Sequence, residues 1–237
     1  MDVVEQSTAP APGRSRRERR DSMLRQRYGL LLGSLVVLFL VQGIAPGGPW
    51  QEVLITGLSA LTLVLALRAG EVQHRIGELA IVAGIALVAT VTVLATTGTT
   101  NTGAARLASG LLIAVAPPAV AVGVIRGLRE HGQATVQAVL GVLCLYLLIG
   151  MVCAFVYGAI DHIGSGAFFA DDVTATTSHC LYFSFVTLTT VGYGDVTAQS
   201  NLGHTIAVTE ALIGQIYLVT VVALLVANLG LRRPGST

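Results

Sequence analysis

Apolar residues in this chain gather into long runs separated by short polar or glycine- and proline-containing breaks. Six runs approach the roughly 20 apolar residues that a helix needs to cross hydrocarbon. They are about Tyr28 to Ala45, Val53 to Leu67, Leu79 to Thr97, Leu107 to Ile125, Ala134 to Ile160 and Leu202 to Leu229. Between the fifth and the sixth, Asp161 to Asn201 is too polar and too broken by glycine to span, and its apolar run from Cys180 to Leu188 is too short. That run is expected to be re-entrant. Residues 1–27 are rich in Pro, Ser, Ala and Arg and lack periodic apolar positions, which predicts a disordered tail. The first run is too long for a secretory signal, and no small-residue cleavage site follows it cleanly.

Composition agrees with the pattern. Of the 237 residues, 53% are hydrophobic and 11% charged, and the mean hydropathy is +0.74; a soluble domain this apolar would aggregate. The chain is therefore expected to be an all-α integral membrane protein. Its net charge of +1 hides an asymmetry, because every basic residue is arginine and seven of the fourteen precede residue 28. Cytoplasmic loops carry an excess of Lys and Arg. Placing the tail, Arg68, Arg75, Arg126, Arg129, Arg232 and Arg233 inside leaves only Arg106 outside, with Glu52, Asp161, Asp171, Asp172 and Asp195. Both termini are thus expected in the cytoplasm, with Trp50 at the outer interface. The arginines signal topology rather than nucleic-acid binding. Cys144, Cys153 and Cys180 sit in apolar stretches at spacings that suit neither a metal site nor a disulfide framework, and read as small buried hydrophobes. With no nucleophile-base pair or metal cluster, neither an enzyme nor a cofactor is expected.

The re-entrant segment ends in Thr187 to Asp195, Thr-Leu-Thr-Thr-Val-Gly-Tyr-Gly-Asp. Within it, Thr190, Val191, Gly192, Tyr193 and Gly194 spell the potassium filter, so the chain resembles tetrameric potassium channels. The resemblance is specific over about Thr176 to Leu229 and architectural before it. It implies a homotetramer with K⁺ as permeant ion, bound at Thr190, Val191, Gly192 and Tyr193. One chain supplies one oxygen per ring, so four are needed. Aiming successive carbonyls the same way requires alternating backbone handedness, which Gly192 and Gly194 reach without steric cost. Val191 and Tyr193 are expected to wedge the loop against protein.

Thr177 to Leu188 then reads as a short pore helix, with Thr176, Thr177 or Ser178 as N-cap. Its C-terminal dipole would favour a cation in the cavity. Tyr182, Phe183, Thr189 and Asp195 are the expected filter supports, Tyr182 by a hydrogen bond to Asp195 and Phe183 by packing alone; Asp195 would also form a carboxylate ring at the mouth. Gly214, 24 positions after Thr190, matches the family's hinge glycine, although glycine there equally suits close packing. Gln215, Leu218, Val222 and Val226 share its face and are assigned to the cavity wall. Glu210 is expected to hydrogen-bond behind the pore helix.

The implied organisation is a tail over 1–27, a four-helix membrane domain over 28–132, a pore domain over 133–230 and a short cytoplasmic tail over 231–237. A fold of six transmembrane helices follows, with the re-entrant pore helix and filter loop between the fifth and sixth and fourfold symmetry. The fourth helix has no arginine between Arg106 and Arg126 and carries Pro117 and Pro118 mid-span, so voltage sensing does not follow. A cytoplasmic ligand-binding domain is not expected after Arg233. The arginine-rich tail is a candidate contact for anionic lipid. Two rival readings stay open: a non-conducting scaffold or regulatory subunit with channel ancestry, and a cation-translocating transport subunit.

Overall fold

Away from water, an apolar chain satisfies its own backbone groups by forming helix, and the computed structural model is built of helices. It describes residues 12–44, 49–70, 74–97, 109–131, 135–164 and 166–229. The helices are α1 (Pro12–Ile44), α2 (Pro49–Ala69), α3 (His74–Thr97), α4 (Ala116–His131), α5 (Val136–Ile163), α6 (Thr177–Leu188) and α7 (Asn201–Leu229). Helical backbone over 109–114 leads into α4 across a break at Val115. The break has a local cause. Pro117 and Pro118 have no N–H for the carbonyls four residues back, but they fit the first turn of a new helix.

Five described stretches are long and apolar enough to cross a membrane: Ser22–Ile44, Trp50–Ala69, Ser109–Arg126, Val136–Ile163 and Asn201–Val221. α3, the expected third span, is a 24-residue helix whose apolar described stretch is the shorter Ile81–Thr90. One expectation is corrected. The tail read as disordered to residue 27 is helical from Pro12 onward, as the first part of α1. Arg, Glu, Gln, Met and Leu are good helix formers, and extending an existing span needs no new nucleus. The parts of the tails at 1–11 and 230–237 lie outside the described residues.

α1 is the central strut and packs on α2, α5 and the short α6; α4 packs on α2 and α5. Among the described elements α3 touches only α2, and α7 touches only α5 and α6. Hydroxyls stitch α2 to its neighbours: Thr56 Oγ1 lies 2.9 Å from Ser109 Oγ, and Thr62 donates to Ser34 Oγ at 3.3 Å. All four side chains are buried, as interhelical hydroxyls in membranes usually are. α2 and α4 cross where Gly70 meets the Ala119 backbone. A Cβ on Gly70 would stand 2.3 Å from the Ala119 carbonyl oxygen, so the crossing exists only without a side chain.

Gly70→Ala is accordingly expected to destabilise the folded protein by about 1–3 kcal/mol, the usual range for overpacking. Gly57→Ala, where a Cβ meets nothing within 4 Å, should be neutral or slightly stabilising. Thermal unfolding of the two variants in one detergent checks the contrast, and equal melting temperatures would refute it.

Candidate functional site

α6 starts where Thr176 caps it. The cap backbone is extended (φ −71°, ψ 161°), and its hydroxyl accepts the His179 N–H at 3.1 Å. Ser178, another candidate cap, instead donates to the Gly43 carbonyl of α1 at 3.1 Å. At the far end the Thr189 N–H and hydroxyl both reach the Phe185 carbonyl, at 3.0 and 2.6 Å. The N–H groups of Val191 and Gly192 then fold back onto the Val186 carbonyl, at 2.9 and 3.3 Å. The loop is therefore tied to the last turn of the helix that precedes it.

Its backbone alternates in handedness. Thr190, Gly192 and Gly194 have φ of 59°, 56° and 79°, every second residue of the motif. A Cβ on Gly192 or Gly194 would meet nothing within 4 Å, so conformation rather than crowding calls for glycine. Thr190 is β-branched and left-handed, an outlier that costs on the order of 1–3 kcal/mol. Strain of this kind persists only where the surroundings impose it.

Asp195 closes the loop. Tyr182 Oη donates to Asp195 Oδ2 at 2.7 Å, and Oδ1 takes the Val196 N–H at 3.1 Å. The bond to Asp195 is the first cause that raises the Tyr182 phenol above its ordinary pKa, so Tyr182 remains a donor. Phe183 is buried among Tyr157, Phe168 and Phe169, with ring centroids 5.0, 6.1 and 5.3 Å away. Phe168 and Phe169 come from the segment before α6, which pairs with the segment after the loop: the Ala170 N–H donates to the Thr197 carbonyl at 2.9 Å and the Gln199 N–H to the Phe168 carbonyl at 2.8 Å. Asp161 fixes the start of that segment by accepting the Phe168 N–H at 3.0 Å.

Behind α6 lies Glu210, with 1% of its surface exposed. Tyr157 of α5 donates to Oε2, and Ser184 of α6 lies 2.5 Å from Oε1. The Cys153 thiol is a third donor. Ser184 Oγ is also 2.6 Å from the Gly150 carbonyl. A hydroxyl carries one proton and a carbonyl can only accept. A neutral carboxyl group, or an amide in its place, brings the second proton and satisfies both contacts. One turn along α7, Gly214 meets the end of α6: a Cβ there would stand 2.4 Å from the Leu188 carbonyl oxygen and 2.8 Å from its Cδ1. α7 is unbroken helix through this point, so what Gly214 supplies here is close approach. Residues 210 and 214 of α7 thus meet 184 and 188 of α6, two fastenings one turn apart on each helix. Glu210 and Gly214 were visible in the sequence; Tyr157, Cys153 and Ser184 were missed. Their signal was present as polar groups four apart in α5 (Cys153, Tyr157) and a serine inside the apolar run of α6, but which helix faces which is not.

Val191 and Tyr193 depart from expectation. They are 51% and 73% exposed, so their own chain does not supply the surface they were expected to wedge against. A residue pair in a strained loop reaches for support outside the chain. Gln215 and Leu218 are exposed on α7, while the side chains of Val222 and Val226 lie outside the described residues.

Residues 141–230, from α5 to the end of α7, match a family model described as ion channel. No curated protein and no solved structure matches the chain. The matched region contains the left-handed loop, its helix and the Glu210 cluster, and it supports an ion channel in a membrane.

For the cluster, Glu210→Gln is expected to keep the melting temperature close to wild type, because the amide donates to Ser184 and accepts from Tyr157. Glu210→Leu and Ser184→Ala each strand buried partners and should cost about 1–3 kcal/mol. Thermal unfolding in detergent measures all three. If Glu210→Gln lost as much as Glu210→Leu, the hydrogen-bond account would be wrong.

Proposed function

We propose that four copies of this chain form a potassium-selective channel that passes ions passively down their gradient. The observation that carries the reading is the alternating handedness of Thr190, Gly192 and Gly194. Such a backbone turns successive carbonyls to one side, and stacked rings of carbonyl oxygens can replace the hydration shell of a potassium ion. In this reading the carbonyls of Thr190, Val191, Gly192 and Tyr193 bind the ion, with the Thr190 hydroxyl below them. Each chain gives one oxygen per ring, which sets the number of subunits at four.

Two further observations favour assembly. Val191 and Tyr193 have no cover of their own, and only 11% of the Asn201–Val221 span is buried in the single chain, against 33–50% for the other spans. Packing α7 and the loop against neighbouring copies covers both. Asp195 of each copy then stands at the outer mouth, where a ring of carboxylates concentrates cations. α3 completes six spans, and the arginine distribution puts both termini in the cytoplasm. The span that would serve as voltage sensor holds no arginine before Arg126, so opening is not driven by charge crossing the field.

Protein reconstituted in liposomes is expected to support potassium-driven flux, and Gly192→Asp should abolish it while leaving the assembled size unchanged. An absence of flux from well-folded wild-type tetramer would contradict the channel and leave a non-conducting scaffold.

A further inference from the structure

α3 touches the rest of the described protein only through α2, and the two helices leave an open groove of about 520 Å³ along their seam. One wall is a stripe of α2, Gly57, Ala60, Leu61 and Val64, ending in Arg68; the other is mainly Ile81, Ile85 and Val88 of α3. Gly57 to Arg68 spans about 16 Å of helix, roughly half the hydrocarbon thickness and hence one leaflet. The groove is apolar along its length, and its only charged lining residue is at one end.

That end is cationic. Arg68 is exposed, and Arg27 of α1 donates from Nη1 to the Arg68 carbonyl oxygen at 3.2 Å, which brings a second guanidinium to the same helix end. Glu78 is the only carboxylate among the described side chains of α3, set against these two arginines. By the arginine distribution this end faces the cytoplasm. An apolar slot one leaflet deep with guanidinium groups at its interfacial end matches one ligand shape, an acyl chain joined to a phosphate. We infer that the α2–α3 groove is a binding site for an anionic phospholipid of the cytoplasmic leaflet, with an acyl chain along Leu61 and Val64 and the phosphate on Arg68. Arginine suits this role because its planar fork pairs with phosphate oxygens.

The site would make α3 a lipid-held element rather than a packed one, and it stands independently of ion conduction. Its test uses the full chain with Trp50→Phe, which removes the only tryptophan, and a reporter Leu61→Trp in the groove. Reconstitution is in dioleoylphosphatidylcholine containing a fixed fraction of dioleoylphosphatidylglycerol, with bromines on the acyl chains of one lipid or the other. Brominated phosphatidylglycerol is expected to be favoured over brominated phosphatidylcholine at the reporter by about fivefold, the size of one arginine at an anionic headgroup. Arg68→Gln should bring the ratio close to one. Gly57→Leu, placed where a side chain meets open space, should lower quenching by both lipids without loss of fold. A control reporter at the exposed Val82 should show no preference. Equal quenching by the two lipids at Leu61→Trp, a preference that survives Arg68→Gln, or the same preference at Val82→Trp would each overturn the site.

Discussion

A carboxyl group buried inside an apolar bundle has to find its hydrogen-bond partners within the protein, and the arrangement of the last three helices follows from how Glu210 finds them. Tyr157 fixes α5 against it and Ser184 fixes α6. With those two contacts made, the register of α7 against α6 is set, and Gly214 falls where the Leu188 carbonyl leaves no room for a side chain. The loop hangs from the same turn of α6, through the Val186 and Phe185 carbonyls. A displacement of α7 therefore cannot occur without moving the helix that holds the loop or stranding a buried polar group. Each stranded group costs about 1–3 kcal/mol, comparable to the strain held at Thr190.

The left-handed loop is braced from the opposite side as well. Tyr182 holds Asp195, and the aromatic cluster around Phe183 anchors the segments on either side of α6. α1 adds a third brace, through Ser178 to the Gly43 carbonyl and through Phe39, whose ring meets that of Phe185 edge-on at 4.9 Å. A helix distant in sequence thus contacts the pore helix within the same chain. This gives the N-terminal helices a mechanical task even without sensor charges: they support the helix on which the loop depends.

Much of this was legible in the sequence because it is encoded locally. Apolar run lengths give the spans, Gly192 and Gly194 give the handedness, and Thr176 was among three residues that could cap α6. Where the sequence misled, the cause was equally physical. The arginine-rich stretch after Pro12 has no apolar period but has strong helix formers, and continuation from a span overrides the missing pattern. Gly214 reads equally as hinge or packing residue until the Leu188 carbonyl is seen beside it. Tyr157, Cys153 and Ser184 could not be paired with Glu210 because contacts between helices depend on crossing geometry. The exposure of Val191 and Tyr193 shows the other limit: their packing partner is not in the chain's own fold.

The central claim is that the loop from Thr190 to Gly194 selects potassium. It is tested most directly by the reversal potential of the reconstituted protein in a bilayer with potassium on one side and sodium on the other. The account predicts a reversal potential close to the potassium equilibrium potential. A reversal potential near zero, with sodium and potassium equally permeant, would contradict it.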